Sequence, residues 1–441
     1  MSVETESPKL KRTLGPLMLW GLGVGYVISG MYFGWNLGLQ EGGTLGLAIA
    51  TGFIIVMYVC FTFSYTELAC AIPKAGGVYD YATRALGRNW GFIGGMAQNI
   101  EFIFAPPAIA FAIGAYFNLL VPGIPILGFA IISYLIFTFL NIRGVKAAAM
   151  FELFITIIAV AELLIFAGAT LPSFELANLE KNALPNGYGG IFAAIPFAIW
   201  FFLAIEGVAN VAEETRNPQK NILIGFGSAI LTLVILCTLT FFSSVGVGGW
   251  ENVVFDETGA TSDSPLPLAL KTVLGDSGWM WHLLITVGIF GLVASFHGII
   301  LAAGRTTMEF GKTGAAPKVL GNIHSKFRTP HAALIFNLVI GIIALLTGKT
   351  GEIITIACFG ALGLYIISMV SILKLRKTEP ELERPFRVPF YPIMPIVALI
   401  IASVAMIAMT VYNPILALIF LVIVLGSFVS FRIVNSKTVS A

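Results

Sequence analysis

The chain has 441 residues, 57% of them apolar and 11% charged, with 25 Lys and Arg against 23 Asp and Glu, a net charge of +2 and a mean hydropathy of +0.92. An ordinary globular domain carries roughly 25% charged residues, so this composition cannot cover a water-facing surface, and a soluble protein is excluded. The basic residues are scattered among short loops instead of gathered on one face, which sets nucleic acid aside as a partner. Cys60, Cys70, Cys237 and Cys358 lie in or beside apolar runs without C-x-x-C spacing, so neither a zinc site nor a disulfide framework is indicated. No cofactor or metal is expected.

Apolar runs between polar punctuation predict twelve membrane-crossing helices, with cores near 14–39, 43–71, 90–119, 126–142, 147–170, 189–214, 222–245, 279–309, 332–347, 353–373, 390–410 and 413–433. Barrel strands would alternate apolar with polar residues, whereas the stretch from Leu338 through Ile342 to Leu346 has no polar side chain. All 25 Lys and Arg except Lys181, Lys271 and Lys349 fall on one side of these crossings. By the positive-inside rule that side is cytoplasmic, which places both termini inside, in an inner or plasma membrane. The segment Gly77 to Leu86 alternates Tyr79 and Tyr81 with Asp80 and Arg84 and reads as an interfacial helix. Two long outer loops, roughly 171–188 and 246–278, are expected to act as lids. The organisation predicted is a tail over 1–13, retained in the mature chain, and a ten-helix core over 14–376, divided at 14–170 and 189–376. Two further helices over 390–433 and a tail over 434–441 complete it.

The first segment is interrupted by Ile28-Ser29-Gly30-Met31 within a glycine-rich run, and the sixth by Pro196 and Ala204-Ile205-Glu206-Gly207. The two lie five helices apart, in matching positions of two five-helix halves, which points to an inverted-repeat transporter with its site at the midplane. Unwound backbone is tolerated at that depth only where it lines a cavity or is buried in protein. Glycine also serves close helix packing, so the matched placement carries this reading more than either break alone.

Tyr65-Thr66-Glu67-Leu68-Ala69 with Ile72-Pro73-Lys74-Ala75-Gly76-Gly77-Val78-Tyr79 resembles the second-helix motif of the amino acid, polyamine and organocation (APC) transporters. Further matches are Glu213-Glu214-Thr215-Arg216-Asn217-Pro218, Arg305 with Lys312-Thr313-Gly314-Ala315-Ala316-Pro317-Lys318, and Arg384-Pro385-Phe386-Arg387-Val388-Pro389. The resemblance spans essentially the whole chain. It implies an all-α integral membrane protein of 12 transmembrane helices, a five-plus-five inverted repeat with helices one and six broken and two extra C-terminal helices, working by alternating access. Ser29 to Asn36, Glu101 to Ala108 and Trp200 to Gly207 are similar to the ethanolamine permease branch of that family.

The chemistry of these segments agrees with an amine cargo. An ammonium group needs an acceptor or negative charge with aromatic faces around it, and Glu101 and Glu206 are the leading carboxylates, because ionisable groups near the membrane centre are usually functional or paired. Tyr32, Trp35, Trp200, Phe201 and Phe202 supply aromatic surface, where a desolvated cation gains about 2 kcal/mol. Ser29, Gly30 and Met31 complete the candidate substrate shell, and the bulk of Met31 and Tyr32 disfavours the carboxylate of an amino acid. Asn36, Gln98, Asn99 and Asn210 could serve a substrate hydroxyl or simply join helices. Glu162 is a candidate proton carrier, with helix packing of a protonated side chain the alternative, and Ser295 and His297 are candidate gate or coupling residues, with a satisfied histidine the alternative for His297. Glu213, Glu214 and Arg305 read as an ion-pair gate, and Glu152 as a carboxylate snorkelling toward Lys146. A lysine standing in for sodium is absent from Ile157 to Val160, and Ser295 is the only hydroxyl near the middle of the eighth helix, so a sodium site has little support.

The expected function is import of protonated ethanolamine or a similar small amino alcohol, with or without proton coupling. One charge crossing 100 mV is worth about 2.3 kcal/mol, or roughly 40-fold accumulation. The alternative is a proton-coupled amino-acid or polyamine permease or exchanger; a membrane sensor that binds without transporting stands third. The partners expected are the small-molecule substrate and the lipid bilayer. An enzyme is the least expected reading, since His282, His297, His324 and His331 show neither metal-ligand spacing nor a nucleophile triad.

Overall fold

The computed structural model describes residues 13–74, 76–144, 148–208 and 215–439. Backbone polar groups have no water to bond in hydrocarbon, and these apolar segments satisfy theirs internally as helices. Among the described residues extended pairing is limited to two isolated bridges, Leu14 with Thr215 and Phe255 with Thr261. The chain opens with α1 (Pro16–Val27), one further turn α2 (Ser29–Tyr32) and α3 (Leu37–Ala71). Next come α4 (Val78–Leu86), α5 (Arg88–Leu120), α6 (Ile126–Arg143) and α7 (Ala148–Thr170). An outer loop holds α8 (Leu176–Glu180) and leads to the short pieces α9 (Gly189–Ala193) and α10 (Ile195–Trp200), then α11 (Pro218–Val245). The second outer loop carries α12 (Glu251–Val254) and α13 (Pro265–Leu274). After it run α14 (Trp279–Lys312), α15 (His331–Leu345), α16 (Thr350–Thr378), α17 (Ile393–Tyr412) and α18 (Pro414–Val439).

Nine of these helices, among the described residues, are long and apolar enough to cross a membrane. Three expected crossings are missing from that set: the first and sixth because both are broken into short pieces, and the ninth because α15 has only 15 residues. The structure moves the first break. Ser29–Tyr32 is helical, and the chain opens instead at Phe33, which is extended, and at Gly34, whose φ of +85° is open to glycine and costly for other residues. The remainder of that crossing is the start of α3, set off from the second crossing by a kink at Gly43. The second break falls as expected: α10 gives way at Phe201 to a run of turns, with Ala204 at φ +75°, and a 3-10 turn over 205–208. At the C-terminus α18 continues to Val439, beyond the expected end at 433.

Helices α5 and α16 lie at the centre and α17 and α18 at the periphery. The central pair meets closely because Gly360 has no side chain; a Cβ there would stand 2.6 Å from the Ala97 carbonyl and from the Glu101 amide. The expected interfacial helix is α4, which lays Tyr81, Ala82 and Ala85 against α5 and α16.

At the Lys- and Arg-rich end, two motifs far apart in sequence lock together. Glu67, near the end of α3, receives a two-pronged bond from Arg376 of α16, with both distances 2.7 Å. Arg384 stands 3.3 Å from the same carboxylate, and the Val388 amide donates to it at 2.7 Å. Arg384 also donates to the carbonyls of Leu375, Glu379, Pro380 and Leu382, so the linker before α17 is wrapped around one guanidinium.

At the opposite end the second outer loop is fastened to the first break. Asn36 donates to the Val253 and Ser262 carbonyls at 3.2 and 2.8 Å and accepts from the Gly34 amide at 3.1 Å. Asp263 of the same loop accepts from the Thr350 hydroxyl at the start of α16, at 2.8 Å. Burial pushes the Asp263 carboxyl up to about 6, with the Thr350 bond offsetting part of the rise. A carboxyl raised above its unfolded value favours the docked loop when protonated, and that contribution fades as pH rises through the folded value. Hydrogen exchange over 255–264 is therefore expected to quicken between about pH 4 and about pH 7 beyond its intrinsic rate. Asp263→Asn should abolish the extra acceleration, and an unchanged profile in that variant would assign it elsewhere.

Candidate functional site

The two breaks face each other. The Trp200 indole donates to the Phe33 carbonyl at 3.1 Å, and Trp35 donates to the Met31 carbonyl at 3.1 Å while its ring stacks on Phe201 at 5.5 Å. Gly30 sits where a Cβ would lie 2.5 Å from the Trp200 carbonyl oxygen and 3.1 Å from the Phe201 Cα, so the broken segments touch backbone to backbone. Gly30→Ala must push the two apart. It is expected to cost about 1 to 3 kcal/mol by overpacking and to abolish transport; a variant with wild-type melting and uptake would show that the breaks do not need this contact.

Glu101, from α5, points into the second break and accepts from the Ala204 amide at 3.1 Å. That bond holds the left-handed residue, a conformation costing on the order of 1–3 kcal/mol. Two residues on, Glu206 accepts from the Tyr365 hydroxyl at 3.2 Å, and Tyr365 is bonded to Tyr58 at 3.0 Å. The two carboxyl groups lie within hydrogen-bonding reach of each other, both fully buried. Glu101 Oε2 and Glu206 Oε1 have no donor among the described residues. Ionised carboxylates are acceptors only, so this contact becomes a hydrogen bond when one proton, or another donor, lies between them. Around the pair stand Phe202, packed on Tyr58 at 5.2 Å, and Cys358, whose thiol bonds to the Pro196 carbonyl.

The other expected site residues divide between places. Tyr32 leaves the aromatic shell: its hydroxyl donates to Glu162 at 2.6 Å and contacts the Ala159 carbonyl at 3.0 Å, joining the first crossing to α7. Ser295 accepts from the Ser29 amide at 3.0 Å and donates to the Gly25 carbonyl at 2.6 Å, bridging α1 to α2. His297 lies 3.8 Å from Glu152. The snorkelling expected of Glu152 does not occur; its side chain is 3% exposed and turned toward α1, because Gly25 leaves room for it there. Lys146, Asn210, Glu213 and Glu214 lie outside the described residues, and with them the expected partners of Arg305. Asn99 joins helices through Thr307 at 2.9 Å.

Residues 17–437 match the amino acid permease family. The chain belongs to that family. It is a multi-pass membrane transporter and not an enzyme. Among relatives of this permease, an uncharacterized transporter of Rhizobium meliloti is 29% identical, over 88% of this chain and 84% of its own. A branched-chain amino acid permease of Bacillus subtilis is 24% identical, over 86% and 84%. A low-affinity putrescine importer of Escherichia coli is also 24% identical, over 84% and 82%.

In this permease the sequence reading passed over Tyr58 and Tyr365, which tie Glu206 to α3 and α16. A tyrosine inside a wholly apolar run is itself a signal, since its buried hydroxyl needs a partner. It also passed over Thr156, which donates to the Gly21 carbonyl at 3.1 Å; nothing along the chain marks that residue.

Proposed function

We propose that this permease carries small organic monocations, with protonated ethanolamine the best-fitting cargo, by alternating access around the two breaks. The observation that carries this reading is the buried Glu101 and Glu206 pair: each carboxyl keeps one oxygen without a donor among the described residues, in an aromatic surround. An ammonium group supplies the missing donors and replaces whatever proton the pair shares. Further support comes from the first break, where several of the amides that could grip an amino acid carboxylate are already engaged. The Ser29 amide bonds Ser295, that of Gly34 bonds Asn36, and those of Leu37, Gly38 and Leu39 bond carbonyls three residues back.

The route inward begins, on this reading, at a polar cleft of 470 Å³ at the loop-bearing end, where Lys349 pairs with Glu352 at 2.6 Å and Glu41 and Asp263 are the further carboxyl groups of the lining. Carboxylates at a mouth raise the local concentration of cations. Twelve crossings, an inverted repeat over the first ten, and a cytoplasmic Lys- and Arg-rich end belong to the same proposal. A second reading, a proton-coupled amino-acid or polyamine carrier, is favoured by the names of the relatives.

Uptake of labelled ethanolamine by proteoliposomes, with potential, pH gradient and sodium varied separately, tests between them. Uptake that follows an inside-negative potential and resists excess serine is the expected result. Serine uptake without ethanolamine uptake would keep the carrier and overturn the cargo.

A further inference from the structure

A second buried acid lies away from the Glu101 and Glu206 pair, against the half-helix that leads into the first break. Glu152 of α7 and His297 of α14 are both almost fully buried, with Oε2 to Nδ1 at 3.8 Å. Glu152 Oε1 has no hydrogen-bond partner among the described residues. That oxygen is wedged between glycines of two other helices: a Cβ on Gly25 of α1 would stand 2.7 Å from it, and one on Gly298 of α14 would stand 3.5 Å away. One turn further along α7, Thr156 grips the Gly21 carbonyl, while Ser295 of α14 grips the Gly25 carbonyl. The carboxyl therefore sits inside the joint by which α7 and α14 hold α1.

The surroundings decide what this joint can bind. The hydroxyls of Thr156 and Ser295 donate to the α1 carbonyls, and among the described residues Glu152 Oε1 is left without a partner. On the elements packed against α7, the titratable groups of α14 are His282, His297, Arg305, Glu309 and Lys312, with Tyr26 on α1, Lys220 and Cys237 on α11 and Lys271 on α13. Among these, His297 lies 3.8 Å from the carboxyl and the Tyr26 ring meets Gly298 beside it; Glu162 of α7 itself lies ten residues along, bonded to Tyr32. On its other side His297 meets the Phe137 ring and an apolar cleft lined by Ile155, Phe290 and Val293.

We propose that Glu152 and His297 form the proton-binding site of this transporter. With one proton the pair is neutral overall, either as carboxylate and imidazolium or as carboxylic acid and imidazole. Without it, an uncompensated carboxylate is left against the α1 joint, which is costly in a dry interior. Binding a proton thus favours α1 seated between α7 and α14. Swinging α1 away lets water reach the pair and take the proton from Glu152 or His297 Nδ1. Proton release and movement of the first break become one event. This rests on the carrier reading but not on the choice of cargo.

The direct test needs no cargo. Infrared difference spectra of the purified, membrane-reconstituted protein between acid and alkaline pH should contain a carboxyl band that Glu152→Gln removes and His297→Gln shifts in pH midpoint. Pairing this with transport, an inward proton gradient at zero potential should drive accumulation of ethanolamine, or of serine if that is the cargo. Glu152→Gln and His297→Gln should lose this accumulation yet keep exchange of cargo for cargo. A spectrum unchanged by both variants, or gradient-driven accumulation surviving in both, would overturn the proposal. So would accumulation driven by sodium alone and lost in Glu152→Gln. Absence of ethanolamine uptake with an intact infrared result would overturn only the cargo.

Discussion

Replacing Glu67 by alanine is expected to cost about 3–5 kcal/mol of stability, the range for removing one partner of a buried ion pair. The magnitude follows from what is left behind. Arg384, whose side chain is 3% exposed, loses its counter-charge, and Arg376 loses two short bonds while keeping only its stacking on Tyr391 at 4.4 Å. The Val388 amide is orphaned as well. The failure should begin at the linker between α16 and α17, so limited proteolysis between 379 and 392 is expected to accelerate before the helices melt. Glu67→Gln should fall between wild type and alanine, since an amide oxygen still accepts from Val388. A loss below about 1 kcal/mol would place the cluster with ordinary exposed ion pairs and show that the arginines find water in the variant.

Glu206→Gln should abolish ethanolamine transport and leave folding intact. The amide oxygen still accepts from Tyr365, and the neutral side chain relieves the close approach to Glu101, so the melting temperature should hold or rise. A desolvated ammonium, by contrast, loses a charged partner worth about 2 to 5 kcal/mol, or roughly 30-fold or more in affinity. Glu101→Gln is expected to reduce transport too, but with a stability loss of its own, because the bond to Ala204 restrains a strained residue and an amide can turn its nitrogen toward that donor. Wild-type uptake by Glu206→Gln would remove that residue from the cargo site. Equal losses of transport and stability in both variants would reduce the pair to a brace for the second break.

Particular residues show how far local reading reaches in this chain. Glu101 and Glu206 stand out in sequence because each is an acid inside an apolar run, and the cost of burying an acid is a property of the residue and its depth. The turns around Ala204 are legible from Pro196 and Gly207, but the sequence puts the first break at Ile28 to Met31 and it falls at Phe33 and Gly34. Gly30 and Gly34 look alike along the chain; one serves a helix contact and the other a positive φ, and only the neighbouring Trp200 carbonyl distinguishes them. Glu67 and Arg384 were both visible as parts of motifs, without any sign that they meet. Glu152 is read in sequence by its nearest basic residue, Lys146, whereas the partner the structure shows is His297, far along the chain and 3.8 Å off.

The sequence by itself determined that this is a helical membrane protein, roughly where its helices run and which end is basic. Hydropathy sums along one helix, and a helix satisfies its own backbone, so neither property depends on what lies beside it. Tertiary structure decided which acid meets which partner: Glu101 with Glu206 and Ala204, Glu67 with Arg376 and Arg384, Glu152 with His297. In a bundle apolar nearly all round, no amphipathic stripe marks the face each helix turns inward. That face is chosen by close packing at glycines such as Gly25, Gly298 and Gly360, whose missing side chains matter only once another helix is against them.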